Sequence, residues 1–317
     1  MKITSPFCAL IAAIVWMVTA FFLHPSPRHL QWGIMLFLLA PLVLVPLAMR
    51  LAAPETREGL DARLWRWASL IQLPAAILLV PAFVMQPGLL AGLLSAPWLV
   101  VTAMISSSGI LSIYQRRLWS LEELCINLGK FYLVIGGIWA VLSRMGVRPI
   151  NFDSVIVLLT AMHFHYAGFL LPLMTGLAGR LLRTRLARSA ALGVILGMPL
   201  TALGITISQL GLGHAPELLA VIITAIAGLM AAGLHLQLAA QRKGRRLVRI
   251  CWLIAGVSLA FSMALAIIYG SRFYYPIEWL DIPLMRALHG SANGLGFGLI
   301  GMVGWHLHIA TNNAPTH

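Results

Sequence analysis

The stretch "HFHYAGF" at residues 163–169 places two histidines and a tyrosine within four positions of a long apolar run. Histidine titrates near neutral pH, so an imidazole can take up or release a proton during a reaction. Ionisable side chains inside a membrane are costly to bury and are therefore candidates for function. The stretch predicts an acid–base centre that includes His163, His165 and Tyr166.

A second polar group lies in "HGSANGLGFG", residues 289–298. His289 and Asn293 are four residues apart and share one face of a helix. Small residues recur at four-residue spacing on the adjoining face: Gly290, Gly294 and Gly298. Such a face lets another helix approach closely. We expect the partner to be the helix that carries His163 and His165, so that imidazoles from both helices meet in one site.

Helical geometry limits which of these residues can meet. His163 and Tyr166 share a face, whereas His163 and His165 are about 200° apart on a regular helix and cannot both point at one site. Pro172 removes the backbone hydrogen bond to the carbonyl of Gly168 and can bend the helix there. The alternative is that each buried histidine only bonds a neighbouring helix, which contributes about 0.6 kcal/mol in membranes.

Two carboxylates complete the candidate site. Asp153 opens the apolar run that contains the histidines, and Glu217 belongs to "GHAPE" at residues 213–217. A partly desolvated carboxyl can act as a general acid, and the faces of Phe164, Tyr166 and Phe169 could stabilise a cation. This combination favours proton-initiated cyclisation or isomerisation of a lipid such as an isoprenoid. The sequence has no DDxxD-like cluster, so a magnesium-bound diphosphate is not expected.

The composition sets these motifs in a membrane protein. Of the 317 residues, 60% are hydrophobic and only 10% are charged, against about 25% charged residues in a soluble domain. We predict an all-α polytopic bundle in a single domain, residues 1–317, with about ten spans of about 20 residues. The predicted spans are 7–23, 32–50, 66–86, 90–113, 128–146, 153–177, 188–210, 215–239, 247–269 and 284–309.

The charge distribution predicts the topology. The formal net charge is +13, but the basic residues form short clusters between apolar runs, which indicates topology rather than nucleic-acid binding. With ten spans, 17 of the 22 Lys and Arg residues fall on one side, so we expect both termini in the cytoplasm. The first run lacks a small-x-small cleavage site and is interpreted as a retained helix. Glu122, Glu123 and Lys130 are interpreted as a solvated face at the cytoplasmic edge.

"HFHYAGF" followed by "LP", the later "HGSANGLGFGLIGMVGW" and the "PW" pair at 97–98 resemble the YndJ-like family of bacterial membrane proteins. The resemblance runs through most of the chain. It implies a multi-pass protein of the bacterial inner membrane. The residues that it marks are those selected by helical geometry: His163, His165, Tyr166, His289 and Asn293.

Two functions follow from these residues. The first is a membrane-embedded enzyme that performs acid–base chemistry on a lipophilic substrate without a cofactor. The second is a transporter or proton-coupled permease, in which the histidines form a relay. A structural role also stays open, as does a haem protein with axial ligands from His163 or His165 and from His289. The expected partners are membrane lipids and a lipophilic small molecule, not nucleic acid.

Overall fold

A computed structural model describes residues 6–22, 28–54, 58–117, 120–241 and 245–312. All regular structure in these ranges is helical. By length and composition, eight of the described helices can cross a membrane. A shorter apolar helix precedes them, and an interrupted helix of similar length follows them. The prediction of an all-α bundle with about ten spans is therefore confirmed.

The ten helices match the ten predicted spans in order. They are α1 (Pro6–Phe22), α2 (28–51), α3 (Leu60–Val84), α4 (Leu89–Arg116), α5 (Leu121–Met145), α6 (Ser154–Leu182), α7 (Arg185–Gln209), α8 (Ala215–Ala240), α9 (Arg246–Gly270) and α10 (282–312). Consecutive helices from α3 to α5, and from α7 to α10, pack side by side. Short connections between long helices favour such hairpins.

Helix α2 forms the centre of the bundle. Every residue from 35 to 46 is buried, and most of this segment is apolar. A helix that is hydrophobic on all sides has no face to offer to water and is buried by its neighbours. The other helices described keep exposed apolar side chains, as expected of surfaces that face lipid.

Helices α2, α6 and α10 each contain wide, π-helical turns. These turns are Ala40–Leu44 in α2, Tyr166–Leu170 in α6, and Arg286–Gly290 and Ala292–Ile300 in α10. Pro172 lies just after the turn in α6, where its missing N–H leaves the Gly168 carbonyl without an ordinary helical bond. The predicted irregularity at Gly168 is thus present as a π segment. Such segments occur frequently at functional sites.

The glycine face of α10 packs against α2 and α6. A side chain at Gly290 would lie 2.9 Å from Leu36. One at Gly294 would lie 3.1 Å from Leu36 and 3.3 Å from the Tyr166 hydroxyl. The close approach predicted from the glycine spacing is confirmed. The partner is α2 as well as α6, and the three helices with π turns meet at this face.

Candidate functional site

His163 lies on α6, about 13 Å along the helix axis from Ser154, the first residue of the helix. Its Nδ1 lies 2.7 Å from the carbonyl oxygen of Leu159. A carbonyl only accepts, so Nδ1 carries the proton and Nε2 keeps a lone pair. The side chain is exposed at a depth where a lipid bilayer is hydrocarbon. Nε2 is therefore a proton acceptor on a side chain that can be reached from the surface of the bundle.

His289, on α10, is held by hydrogen bonds at both ring nitrogens. Nδ1 lies 2.8 Å from the Ser262 hydroxyl and 3.0 Å from the Ser262 carbonyl oxygen. Nε2 lies 3.1 Å from the amide nitrogen of Asn293. These contacts fit one neutral tautomer, in which Nδ1 donates to Ser262 and Nε2 accepts from Asn293. Ser262, on α9, is fully buried, so this ring has a fixed orientation.

The two imidazoles are neighbours. The ring centroids of His163 and His289 are 6.3 Å apart, and the ring planes are inclined by 30°. The prediction that the sixth and tenth spans bring imidazoles together is confirmed for this pair, whereas their catalytic role stays a prediction. Hydrogen bonds occupy both nitrogens of His289, which leaves no lone pair for an axial bond to haem iron. Among the described residues, no group of three His, Cys, Asp or Glu side chains could hold a metal ion.

His165 points away from this pair. Its Nδ1 lies 2.8 Å from the carbonyl oxygen of Ala161, and its Nε2 accepts a hydrogen bond from the Trp98 indole at 3.0 Å. The ring lies nearly parallel to Trp98 and edge-on to Phe37, and it has no exposed surface. Both nitrogens are occupied, so this histidine joins α6 to α4. The divergence of the two histidines follows from their helical spacing.

The aromatic side chains near His163 also have structural contacts. The Tyr166 hydroxyl donates to the Leu36 carbonyl at 2.7 Å. Phe164 packs edge-on against Tyr132 of α5, and Phe169 is completely buried in the core. Tyr166 therefore clamps α6 to α2 beside the imidazole pair. Among the described residues, neither Phe164 nor Phe169 makes a ring contact with His163 or His289.

The two predicted carboxylates have partners outside the pair. Asp153 is exposed and caps α6, because its Oδ1 accepts from the backbone N–H of Val155 at 2.8 Å. It lies ten residues before His163, about 15 Å along the helix. Glu217 is buried and accepts a hydrogen bond from Arg272 at 2.8 Å. Neither carboxylate shares a hydrogen bond with His163 or His289 in the described residues.

A second polar cluster lies where α3 begins, α4 ends and α5 begins. This is the end of the bundle that lies away from the imidazole pair. Asp61 is fully buried and accepts a hydrogen bond from Ser112 at 3.1 Å. Lys130 is 3% exposed, donates to Asn127 at 2.9 Å, and lies 4.9 Å from the centre of the Trp65 ring. The interpretation of Lys130 as part of a solvated face is wrong, because its ammonium lies inside the bundle.

A small cavity adjoins this cluster, with space of about 20 Å³, enough for about one water molecule. Its lining includes Ser112, Lys130 and the ion pair of Arg180 with Glu123, whose two bonds measure 2.6 and 2.7 Å. The signal in the sequence is a lysine ten residues inside an apolar helix, together with an acidic residue at the start of α3. The predicted third span begins at residue 66 and excludes Asp61. The sequence therefore does not predict that α3 brings Asp61 next to the helices that carry Ser112 and Lys130.

Comparison with known proteins assigns a family. The model of a family described as "YndJ-like protein" matches residues 35–297. The curated "Uncharacterized membrane protein YndJ" of Bacillus subtilis (strain 168) is 33% identical over 216 residues, which cover 67% of this chain and 38% of that protein. The chain thus spans well under half of that relative's length. No solved structure matches the chain.

Proposed function

We propose that this chain, which belongs to the YndJ-like family of membrane proteins, is an enzyme that moves a proton on a lipid-soluble substrate inside the bilayer. The supporting observation is the pairing of an exposed imidazole, His163, with a fixed imidazole, His289, whose rings are 6.3 Å apart. Histidine is the side chain best suited to gain and lose a proton near neutral pH.

In this proposal His163 is the base. Its Nε2 takes a proton from one atom of the substrate, the exposed imidazolium exchanges that proton with water, and Nε2 then gives a proton to another atom of the same molecule. The reaction is an isomerisation, which is redox-neutral and needs no co-reactant. His289 stays neutral and in place through Ser262 and Asn293, so its ring is a fixed surface beside His163 against which the substrate can pack.

Isomerisation is favoured over proton-initiated cyclisation. Protonating an alkene needs a strong acid, and an imidazolium with an ordinary pKa near 6.5 is a weak one. Asp153 caps a helix and Glu217 pairs with Arg272, so neither carboxyl is placed beside the imidazoles. Phe164 and Phe169 pack elsewhere and offer no cation-stabilising wall. These placements support base chemistry on a substrate that already carries an acidic C–H bond.

A substrate that enters from the membrane fits the exposure of His163. The side chain is exposed at a depth where the bilayer consists of hydrocarbon. A lipid can therefore diffuse laterally to Nε2 without crossing water.

Deuterium uptake tests the proposal. The purified protein is incubated in D₂O in nanodiscs made from the total lipids of the expression host, and the lipids are analysed by mass spectrometry. An imidazole exchanges its proton with solvent, so we expect one lipid species to gain one deuterium with the wild type. His163→Gln should abolish the uptake, and His214→Gln, a matched change at an exposed histidine stacked on Phe273, should keep it. Equal spectra for wild type and His163→Gln contradict the proposal.

A permease is the second candidate, and the cluster around Asp61 and Lys130 favours it. Buried groups of opposite charge lie at the other end of the bundle from His289, and intramembrane charges often line transport pathways. A permease predicts proton flux into proteoliposomes that depends on both His163 and Lys130. An enzyme predicts no such flux.

A further inference from the structure

Arg286 is a buried arginine whose Nε and Nη1 have no hydrogen-bond partner in the part of the chain that the structure describes. It lies at the start of the π turn Arg286–Gly290 and is 6% exposed. Both of these nitrogen atoms are themselves buried. A guanidinium stays charged at all physiological pH values and carries five N–H donors. Buried donors of this kind are normally bonded, so the described residues leave this guanidinium short of an acceptor.

Other arginines on the same side of the bundle do have acceptors. The Nη1 of Arg144 lies 3.2 Å from the Ala82 carbonyl oxygen, and its guanidinium lies 4.5 Å from the centre of the Phe83 ring. Arg272 bonds Glu217 at 2.8 Å. Arg286 differs from both of them, because no backbone carbonyl and no carboxylate within the described chain bonds its guanidinium.

The closest acid in sequence is already engaged. Asp281 lies five residues before Arg286 and accepts a hydrogen bond from the backbone N–H of Leu284 at 2.8 Å, which caps the start of α10. No hydrogen bond joins its carboxylate to the Nε or Nη1 of Arg286. The guanidinium therefore keeps its donors for a second negative group.

The position of Arg286 connects it to the imidazole pair. Its Cδ and Nη1 lie 3.4 and 3.5 Å from the place where a side chain on Gly33 would begin, so the guanidinium lies across the backbone of α2. One turn further along α10, Ser291 accepts a hydrogen bond from the Trp32 indole at 2.9 Å. His289 follows Arg286 by three residues, which is less than one turn. The guanidinium of Arg286 therefore lies between the first residues of α10 and the imidazoles.

We propose that Arg286 binds the phosphate or carboxylate group of an amphiphile, and that this amphiphile is the substrate. The forked N–H groups of arginine match the oxygen pair of either anion. The charged head of the ligand lies at Arg286, near the start of α10. Its apolar body extends from there towards His163 and His289. The binding of an acidic amphiphile depends on Arg286 alone, whereas its identity as substrate rests on the proposed function.

Binding is measured with the protein in phosphatidylcholine nanodiscs. The probes are dodecyl phosphate, dodecanoate, the neutral dodecanol and inorganic phosphate, each titrated by calorimetry. We expect dodecyl phosphate or dodecanoate to bind the wild type at least about tenfold more tightly than dodecanol, as one charge-assisted bond allows. Arg286→Gln should remove this preference. Arg148→Gln changes an exposed arginine on the same side and should keep it.

The remaining probes and variants each test one part of the proposal. Inorganic phosphate that binds as tightly as dodecyl phosphate would indicate a site for free anions and overturn the amphiphile. Absence of any preference in the wild type overturns the site without the need for a variant. Arg286→Lys keeps the charge and covers the case in which Arg286→Gln does not fold, and we expect it to weaken the preference several-fold. His163→Gln should keep the full preference, so failed catalysis and failed binding are distinguishable.

Discussion

Replacement of His165 by leucine tests whether this histidine serves packing, in contrast to His163, which we propose as the base. His165 has no exposed surface and bonds both Ala161 and the Trp98 indole. Leucine has a similar volume and accepts no hydrogen bond, so the indole N–H of Trp98 would be left buried and unpaired. An unsatisfied buried donor costs about 1–3 kcal/mol, whereas an average interhelical bond in a membrane contributes about 0.6 kcal/mol. We expect His165→Leu to lower the free energy of unfolding by about 1–2 kcal/mol.

The assay is reversible unfolding in mixed micelles titrated with SDS. Because Trp98→Phe removes the orphaned donor, the double variant with His165→Leu should be about 1 kcal/mol more stable than additivity predicts. His163→Leu is the matched control, since this exposed ring has only a bond within its own helix, and it should change stability by less than about 0.5 kcal/mol. Additive effects, or equal losses for the two histidines, would refute the division between them.

Three further predictions concern other parts of the bundle. In a double-mutant cycle on deuterium uptake, His163→Gln and His289→Gln should be strongly non-additive, because either change disables the same pair. Gly204→Ala should cost about 1–3 kcal/mol in SDS unfolding, since its methyl group would lie 2.8 Å from a backbone carbonyl, while Gly233→Ala, with its nearest neighbour at 3.9 Å, should be tolerated. Lys130→Met should leave deuterium uptake intact if the protein is an enzyme, and abolish proton flux in proteoliposomes if it is a permease.

The number and order of the helices were predictable because each follows from a local property. An apolar run of about 20 residues must form a helix in hydrocarbon, where no water can satisfy the backbone. The spacing of His163 and His165 likewise fixed their divergence, since 200° of rotation is a property of any regular helix. The glycine face of α10 indicated a close contact for the same reason.

The partners of these residues were not predictable, because they depend on how distant helices pack. Nothing in the sequence around Ser262 distinguishes it from other serines in apolar runs, yet it fixes His289. Trp98 was noted only as part of a "PW" pair, although its indole satisfies His165. Asp61 and Lys130 come from helices far apart in sequence. From the sequence alone, a charged residue near a helix end is read as lying at the membrane interface. Only the packing of neighbouring helices shows that Asp61 and Lys130 are buried.

The π turns give a physical reason for the position of the site. A π turn widens the helix and leaves its backbone bonds less regular, which is a local cost that packing elsewhere must offset. In this protein the wide turns lie in α2, α6 and α10, the helices that meet at the glycine face of α10. His289 and Arg286 both belong to one of these turns, and His163 lies three residues before another. Of the buried side chains with an unpaired polar atom in the described part of the chain, only Arg286 lies in one of these turns, which places the irregular backbone beside the proposed anion site.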